Sequence, residues 1–411
     1  MGAVKIGIEK LAAYPGSLAL AMPALCAARG HDPVDIRDTM MISERSLNVP
    51  WEDPVTMAVN AAQPMLSERD RAQIGLLIVA SESGVDQEKP MSTWVQRYLG
   101  LPSNVRNIEV KHACYGATAS LQLAASWVAS GVAPGEKALV INTDQSRAHF
   151  GQPWEFVMGA AAVAVLVGDQ PRVLELELGA TGVHTHEVSD LTRPTPHVET
   201  GNSETSLLSY LDGLDAAFDD YLRKVPAAAD FDAYFQRIVY HLPFGGMGLV
   251  AHRAMLRRIG VTQKAAARAH FARKSEPALA FARRMGGTYG ASTFLGLMAL
   301  LETDAAVRAG DRVGVFSYGS GSCAEWWSGR VCPEAREVVR AAKLPELLDA
   351  RRQVTVAEYE AVERARAAVI DSGDFTIDRS QLGDWYDRHY AGARRLVFEG
   401  MHEFYRRYGW S

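Results

Sequence analysis

Unbroken apolar runs of strand length recur along the chain and alternate with stretches of helical periodicity. Residues 74–80, 137–144 and 160–167 are such runs, typical of strands covered on both faces. Shorter strands are predicted over residues 4–9 and 173–178, and at the start of residues 108–120, 237–246 and 312–321. Helices are predicted over residues 16–30 and 51–66, and from residue 116 onward. This alternation indicates a layered α/β protein.

Two segments lack the alternation. Residues 182–205 are rich in threonine, proline, histidine and glutamate, and they predict a long loop. Residues 333–411 are charged, follow a helical pattern and end in aromatic and basic residues. They predict a helical C-terminal extension that carries no chemistry of its own.

One sequence pattern, which predicts a helix, a turn and a strand, occurs twice. Residues 114–118 (Cys-Tyr-Gly-Ala-Thr) open a helix rich in leucine and alanine, and so do residues 288–292 (Thr-Tyr-Gly-Ala-Ser). The repeat predicts two fused halves of similar fold, which we place at residues 1–170 and 171–411. Cys114 then has Thr288 as its counterpart, so only the first half carries a thiol. Chance similarity of two alanine-rich helices is the alternative.

Composition narrows the function classes. The 411 residues are 48% hydrophobic, enough for a large core or two fused ones, and the net charge is −5. The sequence has no basic run with interleaved aromatic residues, so no nucleic-acid partner is expected. It also has no apolar stretch of about eighteen residues and no signal-peptide core, so no membrane association is expected. The four cysteines form no CxxC pair, and we expect a cytoplasmic protein without a metal site.

Residues 108–120 carry the strongest chemical signal. Cys114 lies at the predicted corner between a strand and a helix, in the positive field of the helix N-terminus. That field lowers the pKa of a thiol, and unpaired backbone N–H groups at the corner can hold an oxyanion. The alternative is a buried structural cysteine, since free cysteine is among the most buried residue types.

Glu82 and His241 follow predicted buried strands in the same way as Cys114. Strand ends of an α/β fold can converge on one pocket, although Glu82 taken alone is better explained as an exposed turn residue. A cysteine, a carboxylate and a histidine are what thioester chemistry with carbon–carbon bond formation requires. A cysteine protease would also use cysteine and histidine, but it gives no reason for the duplication.

Four short motifs together resemble one family. They are residues 81–84 (Ser-Glu-Ser-Gly), 113–116 (Ala-Cys-Tyr-Gly), 241–244 (His-Leu-Pro-Phe) and 316–321 (Phe-Ser-Tyr-Gly-Ser-Gly). Over nearly its whole length the chain resembles the 3-hydroxy-3-methylglutaryl-CoA (HMG-CoA) synthases of the thiolase superfamily. The resemblance implies an α/β protein with the thiolase-like duplicated five-layered αβαβα fold, a homodimer and a condensing acyltransferase.

The resemblance also assigns roles to residues. Cys114 would carry the acyl group, Glu82 would act as the general base and His241 would position the β-ketoacyl acceptor. The backbone N–H groups of Cys114 and Ser320 would form the oxyanion hole. Further substrate contacts are assigned to Gly319, Gly287 and Tyr289. No cofactor is implied, since phosphopantetheine or coenzyme A enters only as the carrier of the thioester substrate.

Residues 91–93, 206–212 and 243–247 resemble the branch of the family that serves polyketide synthases. Such enzymes install β-branches on chains held by acyl carrier proteins. The coenzyme A enzymes usually have a lysine where Gly246 stands, and its loss fits a phosphopantetheine arm without a nucleotide. Arg253, Arg257 and Arg258 are then candidates for binding an acidic carrier protein, with a merely solvated helix face as the alternative.

Two departures from the family leave the substrates open. Gly287 replaces an asparagine whose amide would contact the acceptor, and the loop 144–159 is short for the branch. The donor is therefore acetyl or propionyl. One alternative is an HMG-CoA synthase of isoprenoid supply that uses acetyl-CoA and acetoacetyl-CoA. The other is a non-catalytic thiolase-fold scaffold that binds acyl carriers.

Overall fold

The structure is a computed structural model that describes residues 5–145, 147 and 149–411. The strands, in chain order, are β1 (Gly7–Pro15), β2 (Leu18–Ala21), β3 (Glu44–Leu47), β4 (Ile74–Ala80), β5 (Arg106–Val110), β6 (Lys137–Asp144), β7 (Ala161–Gly168), β8 (Leu174–Thr185), β9 (Leu191–Thr192), β10 (Thr200–Gly201), β11 (Arg237–Tyr240), β12 (Arg312–Gly319), β13 (Cys323–Val331), β14 (Arg352–Gln353), β15 (Phe375–Thr376), β16 (Leu396–His402) and β17 (Tyr405–Trp410). The helices are α1 (Met22–Arg29), α2 (Pro33–Met40), α3 (Pro54–Ala62), α4 (Glu68–Gln73), α5 (Met91–Leu99), α6 (Gly116–Ala129), α7 (Ser203–Lys224), α8 (Phe231–Tyr234), α9 (Gly245–Arg258), α10 (Lys264–Lys274), α11 (Ala282–Met285), α12 (Ala291–Thr303), α13 (Ala335–Arg340), α14 (Leu344–Asp349), α15 (Val356–Ala368) and α16 (Trp385–His389).

A nine-stranded sheet runs through both halves of the chain in the order β11-β12-β13-β8-β1-β7-β6-β4-β5. Reading outward from the centre, β1-β7-β6-β4 and β8-β13-β12-β11 share one pairing pattern. Two antiparallel neighbours are followed by one parallel neighbour in each case. The halves join where β1 pairs with β8. The predicted duplication is confirmed by this repeated topology.

Helices form layers on and between the two halves of the sheet. α6 and α12 pack in one core with strands of both halves. α12 is buried from Ala291 to Leu301, which explains why its sequence is apolar all round. α3 and α5 cover the outer face of the first half, and α7 and α9 cover the second. Each half of the continuous sheet forms one layer, so the order of the layers is helix, sheet, helix, sheet, helix.

The topology places the candidate catalytic residues at the carboxyl ends of parallel strands. The parallel strands β4 and β6 end just before Glu82 and at Asp144. The parallel strands β11 and β12 end just before His241 and at Gly319. Carboxyl ends of neighbouring parallel strands are where open α/β sheets bind ligands.

The predicted helix over residues 16–30 is only half right. Leu18–Ala21 is the strand β2, which pairs with β3 and β14, and α1 begins only at Met22. The helix starts there because Pro23 suits a first turn, and it ends at Gly30 with a left-handed φ of 71°.

The predicted loop over residues 182–205 is shorter than expected. β8 continues to Thr185 because it pairs along β13, and α7 begins at Ser203. The Asn202 side chain caps that helix by accepting a hydrogen bond from the Thr205 N–H group at 2.9 Å.

The prediction of a wholly helical tail is wrong at its end. β16 and β17 form a hairpin whose Phe398 and Tyr408 pack on the first half. Arg406 and Tyr408 both donate hydrogen bonds to Asp53 at 2.7 Å. The division at residues 170 and 171 stays a prediction, since β16 and α14 of the second segment pack on α3 and β1 of the first. Among the described residues, none of the helices combines the length and apolar character needed to cross a bilayer.

Candidate active site

Cys114 lies between the end of β5 and the start of α6, as predicted. The residue before it, Ala113, has a φ of 38°, in the left-handed region that alanine rarely adopts. The Gly116 N–H group donates to the His112 carbonyl at 3.1 Å, which closes the turn. Strained backbone of this kind persists only where the surroundings hold it, and such positions cluster at functional sites.

Two glycines of the second half press against this corner. A Cβ atom at Gly319 would lie 2.5 Å from the Tyr115 nitrogen, and one at Gly290 would lie 2.7 Å from the Cys114 carbonyl oxygen. Only glycine permits such close approach of two backbones. The end of β12 and the start of α12 therefore pack directly against the backbone that carries the thiol.

Glu82 is the group nearest to the thiol that could take its proton. The Cys114 Sγ donates to Glu82 Oε2 at 3.4 Å. The backbone position of Glu82 is fixed by Asp144, whose Oδ1 accepts from the Glu82 N–H group at 2.9 Å. Asp144 Oδ1 also accepts from the hydroxyls of Ser81 and Ser83 at 3.1 and 2.9 Å. The ends of β4 and β6 are thereby tied together beneath the cysteine.

Burial controls the ionisation of this pair. Burial, reinforced by the neighbouring Asp144 carboxylate, raises the pKa of Glu82 to about 8, while Arg193 opposes the rise. Burial and the Glu82 carboxylate hold the pKa of the Cys114 thiol well above its usual value. The predicted lowering by the helix N-terminus is wrong, because desolvation and two carboxylates outweigh the helix field. The resting sulfur is therefore a thiol, and Glu82 is the group placed to accept its proton.

His241 is held as a neutral hydrogen-bond donor. Its Nδ1 lies 2.7 Å from the Ser292 Oγ, which itself accepts from the Leu242 N–H group at 3.1 Å. The serine hydroxyl hydrogen is then free to point at Nδ1, which leaves the ring proton on Nε2. Burial lowers the pKa of His241 to about 3, so the ring stays uncharged near neutral pH.

A cavity of about 610 Å³ opens beside the cysteine corner. Glu82, Ala113, Arg193 and Ser320 are among the residues that line it. Arg193 donates to the Glu82 carbonyl at 2.5 Å and pairs with Glu199 at 2.5 Å. Among the described residues, no group of three or more His, Cys, Asp or Glu side chains is placed to hold a metal ion.

The two departures from the family contact each other. The Gly287 N–H group donates to the Val157 carbonyl at 2.6 Å, and the Gly159 N–H group donates to the Gly287 carbonyl at 2.8 Å. A Cβ atom at Gly287 would lie 2.0 Å from the Pro243 carbonyl oxygen. The space that a side chain at position 287 would need is thus occupied mainly by the backbone of Pro243, with the Val157 carbonyl oxygen of the loop at 3.3 Å. Ser146 and Ala148 of the predicted short loop 144–159 lie outside the described residues.

The structure therefore joins Glu82 and Cys114 directly, and Gly319 packs on the neighbouring Tyr115. Ser320 lines the same cavity as Glu82. His241 is connected to the corner through α12, which carries its partner Ser292. Arg253, Arg257 and Arg258 lie apart, on α9.

Sequence reasoning missed Asp144, Ser292 and Arg193. Asp144 ends a predicted buried strand, and Ser292 belongs to the repeated sequence pattern. Their positions in the sequence could therefore have identified both as candidate site residues. Arg193 lies in a segment predicted as loop and gave no signal.

The arrangement supplies a thiol with an adjacent carboxylate base and a neutral histidine donor. Together with the duplicated five-layered fold, it defines a condensing acyltransferase of the thiolase superfamily.

Within that class, the chain belongs to the hydroxymethylglutaryl-CoA synthase family. Residues 44–172 match the family profile described as hydroxymethylglutaryl-coenzyme A synthase N terminal, and residues 248–390 match the C-terminal one. The chain is 37% identical to the polyketide biosynthesis 3-hydroxy-3-methylglutaryl-ACP synthase PksG of Bacillus subtilis, over 99% of both proteins. It is 33% identical to the hydroxymethylglutaryl-CoA synthase of Enterococcus faecalis, over 87% of this chain and 91% of that protein.

Solved structures agree with this assignment. The HMG synthase of the curacin biosynthetic pathway, in complex with acetyl donor-ACP, superposes with a TM-score of 0.94. The two chains are 39% identical, and the match covers 99% of this chain and all of that one. The predicted family resemblance and fold class are confirmed.

Proposed function

We propose that the protein adds an acetyl-derived carbanion, delivered by an acyl carrier protein, to the β-ketone of a carrier-bound polyketide chain. The observation that carries the proposal is the 3.4 Å contact between the Cys114 thiol and the Glu82 carboxyl group. Similarity to PksG and to the curacin enzyme with its donor carrier protein supports the carrier-bound substrates. A propionyl donor in place of the acetyl donor is the alternative form of this proposal.

The first half-reaction transfers the acyl group. The Cys114 sulfur forms a bond to the thioester carbon as Glu82 accepts the thiol proton, and the carbon–sulfur bond to the carrier breaks. Glu82 then returns the proton to the departing carrier thiol. The backbone N–H groups of Cys114 and Ser320 are the donors for the oxyanion. No cofactor enters this step, because phosphopantetheine serves only as the carrier.

The second half-reaction forms the carbon–carbon bond. Glu82 removes a proton from the carbon alpha to the acyl-Cys114 carbonyl, and that carbon attacks the acceptor's β-ketone. The His241 Nε2–H group donates a hydrogen bond to the ketone oxygen as it becomes an alkoxide. The alkoxide takes up the proton that Glu82 removed, and water hydrolyses the bond to Cys114.

Packing at Gly246 supports a carrier protein rather than coenzyme A. A Cβ atom there would collide with the Thr39 carbonyl oxygen. No lysine fits this position without displacing the end of α2, so the cation that would meet a nucleotide phosphate has no place. This observation argues against the isoprenoid-supply alternative.

The basic end of α9 is the proposed contact for an acidic carrier protein. Among the described residues, Arg253 and Arg257 form no ion pair, whereas Arg258 pairs with Asp215 and Asp219. Arg257 is exposed and Arg253 is half-buried. The charges of Arg253 and Arg257 are therefore not neutralised by a neighbouring carboxylate and can act on a partner. Arg258 is the weakest of the three candidates, because its charge is already paired.

A homodimer is proposed through β5, the end strand of the nine-stranded sheet. Ile108 on this strand is 39% exposed, and an edge strand offers unpaired N–H and C=O groups to a second copy. We also infer a cytoplasmic location, supported by four free cysteines, as in a reducing compartment.

Intact-mass analysis tests the function. The protein is mixed with acetyl-loaded carrier protein or with acetyl-CoA, with Cys114→Ser as the matched control. An acetyl adduct that forms faster from the carrier protein and is lost in the variant is the expected result. Equal or faster loading from acetyl-CoA would favour the isoprenoid enzyme. Absence of loading by acetyl and propionyl donors alike would leave the non-catalytic scaffold.

A further inference from the structure

Arg193 and Glu199 form an ion pair beside the general base. β9 and β10 pair antiparallel, with Thr192 opposite Thr200. Arg193 and Glu199 are the next residues along the two strands, so they lie side by side. The Arg193 Nε and Nη2 groups donate to Glu199 Oε2 at 2.8 and 2.5 Å. The two side chains are only 15% and 7% exposed, so water screens their charges much less than it would at the surface.

The backbone of Glu82 is held from two directions. Asp144 Oδ1 accepts from the Glu82 N–H group at 2.9 Å, and the Arg193 Nη1 group donates to the Glu82 carbonyl oxygen at 2.5 Å. The Arg193 guanidinium therefore uses one side for Glu82 and the other side for Glu199. Because Glu199 fixes the second side, the guanidinium is not free to rotate away from Glu82.

A guanidinium at this place without a counter-charge would weaken Glu82 as a base. A cation close to a carboxyl group favours its ionised form and lowers its pKa by about 1–3. Formation of the carbanion needs the opposite, since a carboxylate of higher pKa removes a proton from carbon more effectively. Glu199 supplies a negative charge that balances the arginine. In agreement, Arg193 lowers the pKa of Glu82 and Glu199 raises it.

Other charged or titratable groups surround the ion pair. His149 Nε2 lies 3.8 Å from Glu199 Oε2, but burial lowers the pKa of His149, so its ring is mainly uncharged at and above pH 7. Asp144 raises the pKa of Glu82 but forms no ion pair with Arg193. Of the described carboxylates, Glu199 alone pairs with Arg193. The remaining groups beside Arg193 or in the cavity wall are Lys111, His112, Arg147, His186, Glu187 and the buried Tyr289.

We propose that Glu199 is a positioning residue for the general base and acts through Arg193. It holds the guanidinium against the Glu82 carbonyl and balances its charge, so that Arg193 orients Glu82 without making it a weaker base. The inference rests on the proposed function. During acyl loading and carbon–carbon bond formation Glu82 takes up and releases the proton, while the charges of Arg193 and Glu199 stay unchanged.

The pH profile of acetyl loading tests this role, because opposite charge changes should move it in opposite directions. Loading from acetyl-loaded carrier protein is followed by intact mass between pH 5.5 and 10. In wild type the rate should be half-maximal near the Glu82 pKa of about 8. In Glu199→Gln the unbalanced guanidinium should lower this midpoint by about 1 pH unit, so loading at pH 6 should be about fivefold faster.

Arg193→Met is the complementary variant. It removes the cation and leaves the Glu199 carboxylate, so the midpoint should rise by about 1 pH unit. The variant that carries both substitutions should return close to the wild-type midpoint, because both charges are then absent.

Asp304→Asn is the matched control. Asp304 pairs with Arg237 at 2.6 Å, and both side chains are 11% exposed. Arg237 begins β11, at the opposite end of that strand from His241. The melting temperature of this variant should fall, as in Glu199→Gln, because a partly buried charge loses its partner. Its loading profile should keep the wild-type midpoint.

The outcomes separate this role from the proposed function. Unchanged midpoints in both single variants, with wild type active, would overturn the role of Glu199 alone. Midpoints that move in the same direction, or loss of loading at every pH in Glu199→Gln, would also overturn it, because the ion pair would then serve only the fold. Failure of the wild type to load any donor would instead overturn the proposed function.

Discussion

The Cys114 thiol donates to the Glu82 carboxyl group across 3.4 Å, at a place where burial raises the pKa of both groups. Below about pH 8 both groups are therefore mostly protonated, and the reactive sulfur forms only after Glu82 has ionised and can accept the thiol proton. This differs from a cysteine activated by a low thiol pKa, since here the base and the nucleophile act together.

The rate of acyl loading should rise with pH through about 8. Glu82 must be ionised to accept the thiol proton, and its pKa is raised to about 8. Below that pH the rate should fall about tenfold per pH unit, because the protonated fraction of Glu82 cannot act as a base. Stopped reactions followed by intact mass between pH 6 and 9 measure the profile.

Glu82→Gln is the control for this profile. Loading should drop by at least about 100-fold and lose its dependence on pH across that range. A wild-type profile that is flat from pH 6 to 9 would show that Glu82 is not the base.

Gly287→Ala should destabilise the fold by about 1–3 kcal/mol, the usual cost of forcing extra atoms into a packed core. The new Cβ atom would lie 2.0 Å from the Pro243 carbonyl oxygen, a backbone atom that cannot rotate away. Urea unfolding gives the free energy of unfolding. Gly84→Ala is the matched control, since its Cβ atom would meet nothing closer than 3.9 Å. Equal stability of the two variants would mean that the backbone around Pro243 and Gly287 moves to accept the extra atom.

Much of the framework could be predicted from local pattern. β4 and β6 match the predicted residues, because strands buried on both faces are unbroken apolar runs. Glu82 was found because it follows such a strand. Cys114 was found because it lies at a predicted corner between a strand and a helix, although the strand before it, β5, is partly exposed and not buried as predicted. The β16–β17 hairpin was missed because charged and aromatic residues alternate there, and its burial depends on Asp53, far away in sequence.

Other features of the site depend on contacts that no local pattern records. The direction of the Cys114 pKa shift was predicted wrongly because Glu82 and Asp144 reach the thiol only in the folded chain. Likewise, the hydrogen bond between the Gly287 N–H group and the Val157 carbonyl joins the segment before α12 to a loop that is far away in sequence. The replacement of asparagine was visible in the sequence, but the close backbone packing around Gly287 was not.

Charge reversal at Arg257 should weaken recognition of the carrier protein without affecting the chemistry. Arg257→Glu should raise KM for acetyl-loaded carrier protein about tenfold at low salt, as expected when a steering charge is inverted, and less at high salt. The loading rate from acetyl-pantetheine should not change. Arg69→Glu is the matched control, since this exposed arginine lies on α4 before the opposite end of β4. Equal effects of both variants would refute a specific α9 surface.

A buried relay of two histidines offers a test of stability against pH. His252 Nδ1 lies 3.1 Å from the Tyr240 hydroxyl, and its Nε2 lies 2.8 Å from His270 Nδ1. His270 Nε2 in turn lies 3.0 Å from Asp232, which also pairs with Lys274 at 2.8 Å. Burial lowers the pKa of His252 to about 3, and the neighbouring His270, Lys274 and Arg273 add to the effect.

The sign of the pH effect follows from the lowered pKa. The folded state resists protonating His252, whereas the unfolded chain takes up a proton below about pH 6.5. The stability from a neutral His252 is therefore present above pH 6.5 and lost as the pH falls toward 3. Glu82 gives the opposite slope, since its raised pKa makes the folded state bind protons first. The comparison must therefore be made between two proteins that differ only at His252.

His252→Gln keeps hydrogen-bonding capacity but cannot titrate. At pH 7.5 wild type should be the more stable protein, and its advantage in free energy of unfolding should shrink by about 2 kcal/mol between pH 6.5 and 4.5. Most carboxylates with lowered pKa values stay ionised in that window, and their contributions cancel between the two proteins. Urea unfolding at four pH values measures the difference. An advantage that stays constant across the window would mean that His252 is protonated in the folded protein, and the relay would then hold a charge that Asp232 balances.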